Sequence, residues 1–283
     1  EERDRMSPFE ALQVDFMHGK DDPFMQNYHL LVVDVKTRYA WLCSLTGTST
    51  EQVVQALTEV FLRLQITPKM LMLDRGPGFT STRFQTWCLQ KGIVIVFSPP
   101  KAHEQTGIVE RTIQTIRKKA TVILNGAKLE RKLLAFALRY ATVLYNVSSH
   151  KALEGKAPME IISGRTLDKT YLERFYMFGA TVFYTGDNQK ERGTESGIYL
   201  GSASSSSPGT ILILTTKNRI IRRSNLKCKF DETLISREQL PELEQYFTVK
   251  IYSRNISRDC DQRRGRQSSR GLEFRGGLSL QTP

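Results

Sequence analysis

Lys69-Met70-Leu71-Met72-Leu73-Asp74-Arg75-Gly76-Pro77-Gly78 sets a short apolar run against an acid and an immediate turn. The run predicts a short buried strand over 70–73 with Asp74 at its carboxyl end, the position where open α/β sheets form their sites. Gly76, Pro77 and Gly78 enforce a turn that lets the backbone approach closely. Thr80 to Lys91 reads as a helix ended by Gly92, and Ile93 to Phe97 as a second buried strand. Pro99-Pro100 stops regular structure, so Lys101 to Gly107 is expected as a polar loop at the mouth of the site. Glu110 then opens a helix whose Val109, Ile113, Ile116, Ala120, Ile123 and Leu124 make one apolar stripe, ending near Asn125-Gly126. Glu110, Gln114, Arg117 and Lys118 follow helical spacing and form the adjoining polar stripe. Between Asp74 and Glu110 lie 110 − 74 − 1 = 35 residues.

Upstream, Leu12, Val14 and Phe16 alternate with Gln13, Asp15 and Met17, which predicts a strand turning Asp15 away from its apolar neighbours. Tyr28 to Val35 and Tyr39 to Leu45 read as a hairpin, and Val53 to Leu64, after a start at Ser49-Thr50-Glu51, as a helix covering the sheet. Asp34 is a rival acid, better read as capping the hairpin turn. Taken singly, Asp15 also fits a solvent-facing edge acid, Asp74 a turn residue and Glu110 a solvated helix face. Together the three carboxylates suggest a two-metal site for phosphodiester chemistry, since Mg²⁺ favours carboxylate oxygens and retains open water positions.

Met72 to Thr80, followed by Ser98-Pro99-Pro100-Lys101-Ala102-His103-Glu104-Gln105-Thr106-Gly107-Ile108-Val109-Glu110-Arg111, resembles the D,D(35)E integrase core of retroviruses and LTR retrotransposons. Phe178 to Phe183, Gly197 to Gly201 and Lys229 to Glu232 resemble the downstream part of copia-type integrases, as does the link from Gly155 to Gly164. The resemblance spans roughly Val14 to Glu232. It implies an α/β fold, an RNase H-like mixed sheet with flanking helices followed by a small all-β domain. It implies Asp15, Asp74 and Glu110 as catalytic and metal ligands for two Mg²⁺ ions, with Mn²⁺ as substitute. Lys101, His103, Gln114, Arg117 and Lys118 are the candidate DNA contacts. The implied partners are element cDNA ends, target DNA, further copies of the chain in a homo-multimer, and a chromatin factor; the implied location is the nucleus, after processing of a polyprotein. An RNase H-like nuclease or transposase, or a domesticated, catalytically silent DNA-binding protein, stand as alternatives. Gly78 departs from the acid or amide that related cores often carry there.

The chain has 283 residues, 40% of them hydrophobic, enough for a main domain and a smaller one. Its charge of 41 − 29 = +12 favours a polyanionic partner. Cys43, Cys88, Cys228 and Cys260 form no C-x-x-C pair, and His18, His29, His103 and His150 have no second His at metal-binding spacing, which disfavours zinc. No apolar run reaches the length of a membrane span. A first residue other than Met fits a processed polyprotein product, and the His/Cys zinc module that usually opens such integrases is not in this sequence. The expected organisation is a catalytic core over 1–150, a linker over 151–175, and a small basic β-barrel-like domain over 176–235. A short helix with a basic, disordered tail over 236–283 completes it. Lys217, Arg219, Arg222, Arg223, Lys227 and Lys229 make the β region basic.

Overall fold

The computed structural model describes residues 5–17, 28–98, 107–173, 175–185, 193–203 and 209–231. Lys101, His103, His18 and the helix and tail expected over 236–283 lie outside the described residues.

Strand β1 (Ala11–Met17) obeys its alternation: Leu12, Val14 and Phe16 enter one apolar layer, and Met17 the other. Strands β2 (Tyr28–Asp34) and β3 (Ala40–Leu45) follow as the expected antiparallel hairpin. Fully buried Asp34 caps its turn, accepting the N–H groups of Phe9 (2.9 Å) and Thr37 (2.8 Å) and the Thr37 hydroxyl (2.7 Å). Helix α1 (Thr50–Leu64) starts at the cap Ser49 and lays Val53, Leu57, Val60 and Phe61 on the layer of Leu12, Val14 and Phe16. Strand β4 (Met70–Leu73), helices α2 (Pro77–Thr80) and α3 (Thr82–Gln90), and strand β5 (Val94–Phe97) complete the sheet. Its order is β3-β2-β1-β4-β5, with β4 parallel to β1 and β5 parallel to β4. Helices α4 (Gly107–Gly126) and α5 (Leu134–Val147) cover the second face. This is the mixed sheet with flanking helices that the integrase resemblance implies.

Two local expectations change. The helix expected over Thr80 to Lys91 runs over Thr82–Gln90, its start set by Ser81, which stays extended (φ −67°, ψ 144°) and accepts the Phe84 N–H at 3.2 Å. A serine that caps a new helix competes with continuing the old one. Strand β5, expected as a buried strand, is the edge of the sheet, and Val94 is 58% exposed. An apolar run alone does not distinguish the two positions.

Downstream come helices α6 (Pro158–Ser163) and α7 (Lys169–Leu172) and strands β6 (Thr181–Thr185), β7 (Thr194–Ser202), β8 (Thr210–Thr215), β9 (Ile220–Ser224) and β10 (Lys229–Asp231). The strands form an antiparallel sheet in the order β10-β6-β7-β8-β9. Strand spacing predicts a barrel or sandwich; among the described residues the sheet is open, with β9 and β10 at its edges. A helix supplies the second layer instead. Tyr140 on α5 packs beside Phe178 (5.5 Å between ring centroids) and Tyr199 (6.3 Å), and its hydroxyl donates to the Tyr176 carbonyl at 2.6 Å. One apolar cluster therefore runs from Met17 and Leu31 through α4 and α5 to Val182, Tyr199, Ile213 and Phe230. No described helix is long and apolar enough to cross a membrane.

A chain truncated after residue 165 is expected to melt well below the full chain or to aggregate, because Tyr140 and its neighbours lose their cover. Thermal melts of the two chains check this; equal melting temperatures would show that the second sheet contributes nothing to the core.

Candidate active site

The last residue pair between β1 and β4 is Val14 with Leu73, so the next residue on each parallel strand is an acid, Asp15 on one and Asp74 on the other. Neighbouring strands lie about 4.8 Å apart, and residues in register point to the same face. Asp15 stays in the strand, half-buried; Asp74 follows the strand end and is exposed. Glu110 stands in the first turn of α4, whose Val109, Ile113 and Ile116 bind that helix to the same face of the sheet. Burial pushes the Asp15 carboxyl up to about 7, and the Asp74 and Glu110 charges add to the shift while the Phe16 N–H and Arg117 oppose it. Asp74, Glu110 and Arg117 thus all lie near enough to act on the Asp15 carboxyl. Among the described residues, no three His, Cys, Asp or Glu side chains stand in an arrangement that holds an ion.

The turn after β4 is fixed from both ends. Asp74 Oδ1 accepts the Gly76 N–H at 3.0 Å, closing the turn locally. Phe79 is fully buried and stacks on Phe16, the residue after Asp15, with centroids 4.9 Å apart. Gly78 is buried against the start of α1, where a Cβ would lie 2.9 Å from the Thr48 carbonyl oxygen and 3.2 Å from Phe16 and Val53. The Gly78 departure therefore has a steric reason: no side chain fits between the turn and α1. Thr50 Oγ1 lies 2.8 Å from Ser81 Oγ, tying α1 to the start of α3.

On α4, Gln114, Arg117 and Lys118 are exposed along the stripe that Glu110 begins. Thr112 and Lys119 are buried, and burial lowers the Lys119 pKa. His29, fully buried with Nδ1 3.3 Å from Ser44 Oγ, is pushed down to about 4 by burial and by Arg139 and Arg117, so it is neutral at pH 7. His150 packs edge-on against Tyr145, its Nε2 2.9 Å from that residue's carbonyl oxygen. Cys88 is buried, and burial raises its thiol to about 12, as suits a core thiol. Of the basic residues downstream, Lys217, Arg219, Arg222, Lys227 and Lys229 are exposed, while Arg223 lies over the Tyr184 ring at 5.7 Å. Phe79 and Gln13 carry structural roles that pattern reading did not assign. A polar residue on the acid's own face of an apolar strand was the available signal for Gln13.

Residues 5–103 match the family model described as "Integrase core domain". The span includes Asp15 and Asp74 and stops short of Glu110. The Pro-Pol polyprotein of simian foamy virus type 3 (strain LK3) is 34% identical over 122 residues, covering 43% of this chain and 10% of that protein. The corresponding polyprotein of simian foamy virus type 1 is 38% identical over 97 residues, 34% of this chain and 8% of that protein. The chain thus spans about a tenth of the length of these curated relatives. The crystal structure of the catalytic core domain of BIV integrase aligns with a TM-score of 0.45 at 21% identity, over 55% of this chain and 95% of that one. Residues 5–103 are thus similar to an integrase core domain, and the curated relatives do not single out the copia-type branch.

Two outcomes follow for the purified chain. Asp15 has a folded pKa above its unfolded value, so its contribution to stability is full below about pH 4 and is lost as pH rises through about 7. With divalent ions chelated, Asp15→Asn should melt higher than wild type by about 5 °C at pH 8, and the difference should vanish near pH 4; calorimetry at the two pH values measures it. Gly78→Ala should destabilise by about 1–3 kcal/mol in urea titrations, because the facing atom is backbone and yields little.

Proposed function

We propose that this chain is the catalytic part of a retroelement integrase, joining 3′ ends of element cDNA to target DNA by phosphodiester transesterification. The observation that carries the reading is the side-by-side placement of Asp15 and Asp74 on parallel strands, with Glu110 electrostatically coupled to Asp15 from the first turn of α4. A set of carboxylate oxygens around a half-buried acid fits divalent cations, because a bound cation offsets both the burial that raises the Asp15 pKa and the added repulsion of Asp74 and Glu110. Asp15, Asp74 and Glu110 would hold two Mg²⁺ ions, or Mn²⁺ in their place. When bound, the ions would favour deprotonation of the attacking hydroxyl and stabilise charge on the leaving oxygen.

The chain's own residues supply the positioning. The Phe16–Phe79 stack and the packing of Gly78 hold the turn that carries Asp74, so the backbone at that acid is fixed before DNA arrives. Gln114, Arg117 and Lys118 present donors along the helix that begins at Glu110, suited to phosphate oxygens on either side of the reacting bond. Lys101 and His103 are further contacts in this reading. The exposed bases of the second sheet extend the positive surface for donor or target DNA. One phosphodiester bond forms as another breaks, the 3′-hydroxyl giving up its proton and the leaving oxygen gaining one, so no nucleotide cofactor is required. The copia-type affiliation rests on the downstream words around Phe178, Gly197 and Lys229. Action as a homo-multimer on paired DNA ends, a chromatin factor, and nuclear work after polyprotein processing belong to the same reading.

Strand transfer tests it: the chain, a labelled duplex with element-like ends, supercoiled plasmid and Mg²⁺ or Mn²⁺. Joined product is expected from wild type and reduced at least about 10³-fold in Asp74→Asn and Glu110→Gln. Cleavage without joining would identify a nuclease instead, and metal-independent binding without turnover a silent DNA-binding protein.

A further inference from the structure

Gln13 is 2% exposed, inside an apolar strand and on the same face as Asp15, two residues before it. Burying an amide there is costly unless it is hydrogen-bonded. Its Oε1 accepts the backbone N–H of Val109 at 2.9 Å, across 96 residues of sequence, and its Nε2 lies 3.9 Å from Met72 Sδ on the neighbouring strand. Val109 is in the first turn of α4, where backbone N–H groups have no partner within the helix. Gln13 thus caps a helix from another element, and the residue after the capped N–H is Glu110.

We propose that Gln13 is a positioning residue for the divalent-cation site: its bond to Val109 fixes α4 along β1 and so sets Glu110 against Asp15. The assignment rests on the proposed role of those carboxylates as ion ligands. The same bond joins the two elements that carry the first and last acids, with Met72, two residues before Asp74, against its other end. Residues that orient metal ligands typically alter ion affinity when changed, though they touch no ion themselves.

The test uses the full chain and Mn²⁺ alone as probe. Gln13→Leu and the straight-chained Gln13→Met keep the apolar shape and remove the acceptor; Gln13→Glu keeps an acceptor oxygen. Asn146→Ala serves as control, because it breaks a comparable buried pair of bonds, between α5 and β3, far from the acids in sequence. Hydrogen exchange at the Val109 amide should accelerate in the Leu and Met variants and stay slow in Glu and in the control. Half-saturation with Mn²⁺, read by its electron paramagnetic resonance signal, should need about tenfold more ion in Leu and Met and be unchanged in Asn146→Ala. Equal Mn²⁺ affinity in wild type and both apolar variants would overturn the role of Gln13, as would an equal loss in the control. Wild type that binds Mn²⁺ but joins no DNA would count against the proposed function alone, because the titration still judges Gln13.

Discussion

Carboxylates gathered at one place repel each other, so the scaffold that holds them has to draw its stability from elsewhere. Here the repulsion shows in Asp15, whose carboxyl is raised by burial and by Asp74 and Glu110. The opposing forces are apolar and lie on both faces of the sheet. Leu12, Val14 and Phe16 pack on α1, while Met17, Leu31 and Val33 pack on α4 and α5. Asp15 sits between these layers on a strand with hydrogen-bonded neighbours on both sides, which leaves it little freedom to move away from Asp74. A half-buried acid with like-charged neighbours thus sits on a backbone held from both sides, a local cost in stability that the apolar layers offset.

Rigidity extends outward by long-range contacts. Phe79 returns from the Asp74 turn to stack on Phe16, and Gly78 lets that turn lie against α1. Asn146 on α5 pairs with both backbone groups of Ala40, donating to its carbonyl (2.8 Å) and accepting its N–H (2.9 Å). That pair satisfies part of the free edge of β3, as another strand would. The second sheet in turn covers α5 through Tyr140, Phe178 and Tyr199, so that helix is itself buried on its far side.

What could be read from the sequence was whatever depends on local period and spacing. Alternation placed Asp15 opposite Leu12, Val14 and Phe16; the apolar stripe of α4 placed Glu110 and Arg117 on its open side. The acid-glycine turn ended β4 where expected. The helix after that turn starts two residues later than expected because the Ser81 hydroxyl caps it. The edge position of β5 was missed because strand order is a property of the whole sheet. The bonds of Gln13 to Val109 and Asn146 to Ala40 join residues 96 and 106 apart, and no local pattern encodes such partners. The same holds for the packing of the second sheet on Tyr140, which strand spacing alone could not supply.

The central claim is that Asp15, Asp74 and Glu110 form one cation site. Anomalous diffraction from crystals of the full chain soaked in Mn²⁺ tests it most directly. The account predicts manganese peaks in contact with carboxylate oxygens of all three residues, absent from Asp74→Asn crystals. Manganese bound elsewhere, with Glu110 turned away from Asp15 and Asp74, would contradict it.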